Sequence, residues 1–308
     1  MKKLAFIFPG QGSQKVGMGR EFYENCAAAK ALLEGASDAC GLDFKHLLFA
    51  ENDELAKSEF TQPAIVLASL MAYLFVRQET GAACEFALGH SLGEFSALAV
   101  QGGVDFIEVL RLVRARGAFM QEDCAKIEAG MMVVLGLDDG AVEGICEAAR
   151  QGGKQIYAAN YNCDGQIVVA GLKPHLCELE AAFKERGAKR AMLLNMSVAS
   201  HCELLENASA RLGELLESAL NPSFAPVISN VSAKPYTQKN EALRLLKAQL
   251  VSPVLYKQSI KACEGEVSHF VEFGASVLTG LNKKITTTQS LAISNLNEAR
   301  EFIKMMKE

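Results

Sequence analysis

The sequence predicts an α/β fold in two parts, a mainly parallel sheet and a small inserted unit. Apolar runs typical of buried strands alternate with helical segments through residues 1–128. Residues 129–196 change to the order strand, helix, strand, strand, helix, strand, which is that of a ferredoxin-like unit. Strand and helix alternate again afterwards. We therefore predict a large subdomain of residues 1–128 and 197–308, and a ferredoxin-like small subdomain of residues 129–196.

The composition indicates a globular protein with a sizeable core, because 50% of the 308 residues are hydrophobic. A net charge of -5 argues against nucleic acid as the main ligand, since phosphate binding needs a basic face. The nine cysteines include no Cys-x-x-Cys pair, which favours reduced thiols over disulfides or a zinc site. We see no apolar stretch of about 18 residues, so we expect no membrane span and a cytoplasmic location.

The chain begins with a buried strand at residues 4–8 and a glycine-containing loop, Pro9–Gln14. This loop lacks the third glycine of a dinucleotide fingerprint and a Gly-Lys-Ser/Thr ending, so we interpret it as the lining of a pocket. A helical stretch follows at residues 19–40. Thr61 is then the expected N-cap of a strongly apolar helix that continues to about residue 79, with a proline in its first turn.

A strand at residues 84–88 leads into a Gly-x-Ser-x-Gly motif centred on Ser91. Glycines at 89 and 93 allow a strand to turn sharply into a helix, so the serine hydroxyl projects from the bend beside the helix N-terminus. An ordinary turn with a serine N-cap fits the motif equally well. Helices to about residue 100 and at residues 105–123 complete this half of the large subdomain.

The remaining elements follow the two orders of strands and helices described above. In the insert we predict strands at 131–136, 156–161, 166–170 and 189–194, and helices at 139–151 and 174–187. In the returning part of the large subdomain we predict a helix to about residue 220, strands at 226–231, 267–273 and 291–294, a helix at 241–250 and a closing helix.

A nucleophilic serine needs a base, usually a histidine, and the chain has five histidines. His201 is the best candidate because it stands where the chain returns from the insert to the main sheet. His269, inside a predicted strand, stays as an alternative. The other three fit roles in capping, at the surface or in loop support: His46, His175 and His90. The pattern marks no acidic third member, which weakens a hydrolase interpretation.

Several motifs occur in one order along the chain. They are Phe8-Pro9-Gly10-Gln11-Gly12-Ser13-Gln14, Thr61-Gln62-Pro63-Ala64, Gly89-His90-Ser91-Leu92-Gly93-Glu94, Arg114-Ala115-Arg116-Gly117 with Met120-Gln121, Asn160-Tyr161-Asn162, Gly165-Gln166-Ile167-Val168-Val169-Ala170-Gly171, and Ser197-Val198-Ala199-Ser200-His201-Cys202. In these motifs the chain resembles the malonyl-CoA:acyl carrier protein transacylase family over essentially its full length. The resemblance implies an α/β hydrolase-like large subdomain with a ferredoxin-like insert.

The resemblance also implies the roles of individual residues. Ser91 would be the nucleophile and His201 the base. The backbone N–H groups of Gln11 and Leu92 would form the oxyanion hole, and Arg116 would bind the malonyl carboxylate.

A backbone carbonyl, that of Gln249, would orient the histidine in place of a carboxylate, which would explain the missing acid. Further substrate-binding positions by family likeness are Gln62, Met131, Asn160 and Ser200.

The implied activity is transfer of malonyl from malonyl-CoA to acyl carrier protein, by a monomer that needs no metal or redox cofactor. A serine esterase or thioesterase, an acyltransferase for another acyl-CoA, and a non-catalytic carrier-protein binding module stay open as alternatives. Two departures from the family pattern are a shorter loop at Gly274-Ala275-Ser276 and Cys163-Asp164, where Ser-Pro is frequent.

Overall fold

The computed structural model describes residues 2–196 and 198–308, so Met1 and Ser197, at the bounds of two predicted segments, lie outside the described residues. The strands, in chain order, are β1 (Leu4–Phe8), β2 (Phe86–Gly89), β3 (Ala129–Leu135), β4 (Ile156–Cys163), β5 (Gln166–Leu172), β6 (Arg190–Leu193), β7 (Ser223–Ile228), β8 (Pro235–Gln238), β9 (His269–Phe273) and β10 (Gln289–Ile293).

The helices connect and cover these strands. They are α1 (Arg20–Asn25), α2 (Ala27–Cys40), α3 (Phe44–Phe49), α4 (Ser58–Thr80), α5 (Gly93–Val100), α6 (Phe106–Cys124), α7 (Asp139–Gln151), α8 (Lys173–Glu185), α9 (Glu206–Ala219), α10 (Lys239–Val251), α11 (Tyr256–Cys263), α12 (Leu278–Asn282) and α13 (Leu296–Lys307).

Within the described residues the strands form a six-stranded sheet in the order β10-β9-β1-β2-β7-β8 and a four-stranded sheet in the order β4-β5-β3-β6. The larger sheet is parallel except for β8, which is antiparallel to β7. The smaller sheet is antiparallel, and its order is that of a ferredoxin-like unit. The predicted fold class is confirmed, whereas the bounds of the two subdomains remain a proposal.

The central strand β1 explains where a site can form. All five of its residues are buried, as expected for a parallel strand covered by helices on both faces. Its last residue, Phe8, pairs with Gly89 at the end of β2. The loops that follow these two strands therefore emerge side by side at the carboxyl edge of the sheet, where open α/β sheets bind their ligands.

Helix α4 corrects the expectation that no segment resembles a membrane span. It is the one described helix that is long and apolar enough to cross a membrane by length and composition, but 78% of that window is buried inside the structure. Its neighbours include α2, α6 and α13. Its hydrophobicity is therefore that of a core helix.

The N-terminus of α4 also differs from the prediction. The helix begins at Ser58, so Thr61 is not the N-cap and the following proline lies beyond the first turn. The Thr61 hydroxyl bonds instead to the carbonyl oxygens of Leu55 (2.6 Å) and Lys57 (2.9 Å). The Gln121 side chain from α6 accepts a hydrogen bond from the first-turn N–H of Glu59 at 2.9 Å, which is a tertiary cap that local sequence cannot reveal.

Other boundaries differ for local reasons. The predicted helix at 19–40 is two helices, because Cys26 has an extended backbone with φ -138° and ψ 115°. The strand predicted at 226–231 ends at Ile228, where the chain turns back with Ser229 donating to the Lys234 carbonyl at 3.0 Å. That turn leads into β8, which was missed, as were the helices α3, α11 and α12.

Strand β4 of the smaller sheet contacts the segment between α10 and α11, and one buried lysine of α11 adds a second contact. The Tyr161 N–H donates to the Val254 carbonyl at 2.9 Å. Lys257 Nζ lies 2.6 Å from Asp139 Oδ2 and 2.9 Å from Asp164 Oδ1, with its side chain only 10% exposed. The hydrogen bond from this lysine lowers the pKa of the Asp164 carboxyl. The Lys257 ammonium of α11 thus pairs with two carboxylates of the unit that contains the smaller sheet.

Replacing Lys257→Met should lower the free energy of unfolding by about 1–2 kcal/mol, because it removes two charge-assisted bonds at a partly buried position. The matched control is Lys261→Met, since the Lys261 side chain is 48% exposed and its Nζ is as far as 3.9 Å from Asp164 Oδ2. Its effect should stay below about 0.5 kcal/mol. Urea unfolding followed by circular dichroism measures both, and equal values would contradict the role given to Lys257.

Candidate active site

The turn between β2 and α5 holds Ser91 in a conformation that side chains rarely adopt. Its φ is 52°, in the left-handed region. A Cβ on Gly89 would overlap the backbone of Gly93, and a Cβ on Gly93 would overlap the carbonyl of Phe8. The two glycines of the motif are therefore required by close backbone approach, and Ser91 carries the strain of order 1–3 kcal/mol.

Asn230, just after β7, braces this turn. Its Oδ1 accepts the Ser91 N–H at 2.7 Å, and its Nδ2 donates to the Gly89 carbonyl at 2.7 Å. Each partner is a backbone group with one possible role, so the orientation of the amide is fixed. No sequence motif marks Asn230, and the predicted strand at 226–231 places it inside a strand, whereas β7 ends at Ile228 and leaves Asn230 in the turn beside Ser91.

His201 lies against the serine. Its Nε2 is 2.7 Å from Ser91 Oγ, and its Nδ1 is 2.7 Å from the carbonyl oxygen of Gln249. Because a carbonyl can only accept, Nδ1 carries the proton and Nε2 presents its lone pair to the hydroxyl. Burial, and after it the positive charge of Arg116, lowers the pKa of His201 to about 3. The imidazole is therefore neutral at physiological pH.

The other candidate base, His269, is on the wrong edge of the sheet. It begins β9 and pairs with Leu4 at the start of β1, whereas the Ser91 turn follows the end of β2. His90 lies beside the site, with Nε2 2.7 Å from Asn162 Oδ1, and burial lowers its pKa.

The two remaining histidines are elsewhere. The His46 backbone N–H bonds to the N-cap residue of α3, and His175 Nδ1 accepts from the backbone N–H of Gln155 at 3.0 Å.

Arg116 brings a buried positive charge to the serine. It is 1% exposed, and its Nη2 lies 3.2 Å from both Ser91 Oγ and Gln249 Oε1. Its Nη1 donates to Gln62 Oε1 at 2.9 Å. Burial lowers its pKa to about 10, so the group remains charged at neutral pH. Its Nε is buried with no acceptor among the described residues.

The neighbouring arginines of α6 point elsewhere. Arg114 pairs with Glu59 at 2.9 Å, and Arg111 bonds to the Ala39 carbonyl at 3.1 Å. Position on the helix thus selects Arg116, a choice that the sequence alone could not make.

Two backbone N–H groups, one in the loop after β1 and one in the residue after Ser91, carry no hydrogen bond among the described residues. Within the described residues, neither the N–H of Gln11 nor that of Leu92 donates to a protein acceptor. Gly10 passes so close to the His90 carbonyl that a Cβ would collide with it. The Gln11 side chain donates to Ser58 Oγ at 2.9 Å, which helps hold the loop after β1 in place.

A cleft of about 440 Å³ opens onto Ser91, His201 and Arg116. Gln11, Met131, Asn160 and Ser200 line its walls, whereas Gln62 and Gln249 lie behind Arg116 and contact its guanidinium. Much of the remaining lining is apolar: Met120, Val133, Val168, Leu194, Met196, Val277, Leu278 and Leu281. No group of three or more His, Cys, Asp or Glu side chains within residues 2–196 and 198–308 is arranged to hold a metal ion.

Known proteins share this sequence and fold. Residues 5–297 match the model of the acyl transferase domain family. The chain is 38% identical to the malonyl CoA-acyl carrier protein transacylase of Bacillus subtilis, over 100% of this chain and 98% of that protein. It is 40% identical to the protein of the same name from Escherichia coli K12, over 97% of each.

Solved structures agree with these matches. The malonyl-CoA:acyl carrier protein transacylase of Helicobacter pylori superposes with a TM-score of 0.96 at 42% identity, covering 100% of this chain and 99% of that one. A malonyl-transacylase solved in complex with a type II polyketide acyl carrier protein gives a TM-score of 0.93 at 35% identity, covering 98% and 99%. The chain therefore belongs to the malonyl-CoA:acyl carrier protein transacylase family of acyl transferases.

Proposed function

We propose that this chain transfers the malonyl group of malonyl-CoA to the phosphopantetheine thiol of acyl carrier protein, supplying the extender unit for fatty acid synthesis. The observation that carries the proposal is the charged Arg116 guanidinium 3.2 Å from Ser91 Oγ in a buried cleft. An acyl group that is esterified to Ser91 and ends in a carboxylate can reach this cation. The names of the relatives support the same substrate and acceptor.

In the first half-reaction, His201 Nε2 accepts the Ser91 proton while Oγ attacks the thioester carbon. The charge that develops on the carbonyl oxygen is bound by the N–H groups of Gln11 and Leu92. Such donors contribute roughly 3–4 kcal/mol each in a well-studied protease. Collapse of the tetrahedral intermediate breaks the carbon–sulfur bond, and the coenzyme A thiolate takes the proton from His201.

In the second half-reaction, the carrier-protein thiol gives its proton to His201 and attacks the malonyl-serine ester. The same two N–H groups stabilise the second tetrahedral intermediate. Ser91 leaves as the alkoxide and takes the proton back, which restores the starting enzyme. The Gln249 carbonyl, 2.7 Å from Nδ1, keeps the imidazole in one orientation through both steps.

Arg116 is the residue that we propose binds the malonyl carboxylate. A guanidinium binds a carboxylate through two parallel charge-assisted hydrogen bonds, and the unpartnered Nε leaves one donor free. An acetyl group would leave this buried donor unpaired, which penalises acyl groups without the carboxylate.

We also propose a cytoplasmic location. All nine cysteines are unpaired in the structure, and reduced thiols are typical of that compartment.

Incubation with malonyl-CoA should give a malonyl adduct on Ser91, detected by peptide mass spectrometry. Ser91→Ala should give none, and His201→Ala should form it far more slowly because the base is gone. Ser218→Ala serves as the control, since Ser218 is an exposed serine of α9 whose hydroxyl donates to the Leu215 carbonyl at 3.1 Å, outside the cleft. Full activity with an unlabelled Ser91 would overturn the mechanism.

Arg116→Ala should reduce malonyl transfer by about 10²-fold or more, because two charge-assisted bonds to the substrate are lost. Acetyl transfer should fall much less, so the ratio of the two kcat/KM values is the measurement. Arg114→Ala, on the same helix but paired with Glu59, is the matched control and should leave the ratio unchanged. Equal losses for both acyl groups in Arg116→Ala would show that Arg116 does not read the carboxylate.

A further inference from the structure

The most deeply placed carboxylate near the site is that of Glu94, which has no role in the mechanism above. It lies in the first turn of α5, one turn after Ser91, and is 0% exposed. Burying a carboxylate costs folding free energy unless hydrogen bonds and nearby charge compensate for the lost water. The groups around Glu94 therefore show how this cost is met.

Glu94 accepts hydrogen bonds from three directions. Oε2 accepts the Asn230 N–H at 3.1 Å and Gln249 Nε2 at 2.7 Å, and Oε1 accepts the Tyr236 hydroxyl at 3.0 Å. The orientation of the Gln249 amide is fixed, because Arg116 can only donate and takes its Oε1. Two of the three partners can therefore only donate to Glu94, which is the arrangement suited to an ionised carboxylate.

The partners of Glu94 are the residues that hold the site. Asn230 braces the strained Ser91 turn through its side chain. Gln249 Nε2 also donates to the Ser91 carbonyl at 3.1 Å, while the Gln249 backbone carbonyl orients His201. Asn230 thus connects Glu94 to Ser91, and Gln249 connects it to His201.

We propose that Glu94 is a positioning residue for the transfer reaction: its ionised carboxylate fixes Asn230 and Gln249, and through them Ser91 and His201, while balancing the buried charge of Arg116. This inference rests on the proposed function, because it concerns the rate at which the Ser91 adduct forms.

The charge state of Glu94 supplies the test. Burial raises its pKa to about 7, against its three hydrogen bonds and the charge of Arg116, which lower it. The titratable and charged groups that act on it are Tyr236 on β8 and Arg116 on α6, and Glu241 of α10 acts on Tyr236. His201 is connected to it only through Gln249. Tyr236 and Arg116 keep their charge states near pH 7, and His201 is neutral there.

The rate of adduct formation with malonyl-CoA should therefore fall as the pH drops below about 7, approaching tenfold per pH unit as Glu94 is protonated. Glu94→Gln keeps the shape but has no charge to lose. At about pH 8 it should form the adduct at least about tenfold more slowly than the native chain. Its rate should then stay nearly constant down to about pH 6, so that the two rates converge.

A second variant decides the matter if Glu94→Gln does not fold. Tyr236→Phe removes a hydrogen bond to the charged form, so the pKa of Glu94 should rise and the acidic decline should move to higher pH. Glu272→Gln is the matched control. Glu272 is also 0% exposed, but its hydrogen bonds within the described residues go to the N–H groups of Val277 and Thr279 and not to the Ser91 turn, so the decline should remain.

An acidic decline that persists in Glu94→Gln, or that does not move in Tyr236→Phe, would overturn the positioning role. A native chain that forms no adduct on Ser91 would instead overturn the proposed function, so the two failures are distinguishable.

Discussion

The site depends on the burial of one positive charge, that of Arg116, beside a strained serine. A guanidinium removed from water must be matched by acceptors and by a counter-charge. Here Gln62, Gln249 and Ser91 Oγ supply the acceptors, and Glu94 is the nearby carboxylate. Gln62, Glu94 and Gln249 lie on α4, α5 and α10, so the need to hold this cation links three helices around the sheet. The same network leaves Nε without an acceptor among the described residues, and a ligand carboxylate would satisfy it.

The arrangement also explains how the site can do without a catalytic acid. In an α/β hydrolase, an Asp or Glu orients the histidine. Here the Gln249 carbonyl takes that position, and the nearby charge belongs to a cation that lowers the pKa of His201. A neutral imidazole with a fixed tautomer can accept the serine proton. A carboxylate in contact with the imidazole would compete for Arg116 with the malonyl carboxylate that we propose it binds.

The sequence predicted those parts of the protein that short-range chemistry determines. Glycines at 89 and 93 marked the Ser91 turn because no other residue tolerates the backbone approach there. The strand and helix order of the insert likewise predicted its ferredoxin-like sheet. What could not be predicted depends on distant contacts. Thr61 looks like an N-cap, but a side chain from α6 caps the first turn of α4.

The hydrogen bonds that hold the Ser91 turn also depend on distant contacts and could not be predicted. Asn230 is a single asparagine after a strand, and only the fold brings it 2.7 Å from the Ser91 N–H. Selection of Arg116 over Arg114 likewise required the direction in which each side chain leaves α6.

The central claim is that Ser91 holds a malonyl group and passes it to a thiol rather than to water. The most direct measurement isolates the malonyl-Ser91 form and mixes it with acyl carrier protein that bears the phosphopantetheine arm, with the unmodified carrier protein as control. We expect malonyl carrier protein to account for nearly all of the released malonyl groups, and only slow release of free malonate in the control. Free malonate formed at the same rate in both mixtures would contradict the account and identify the protein as a hydrolase.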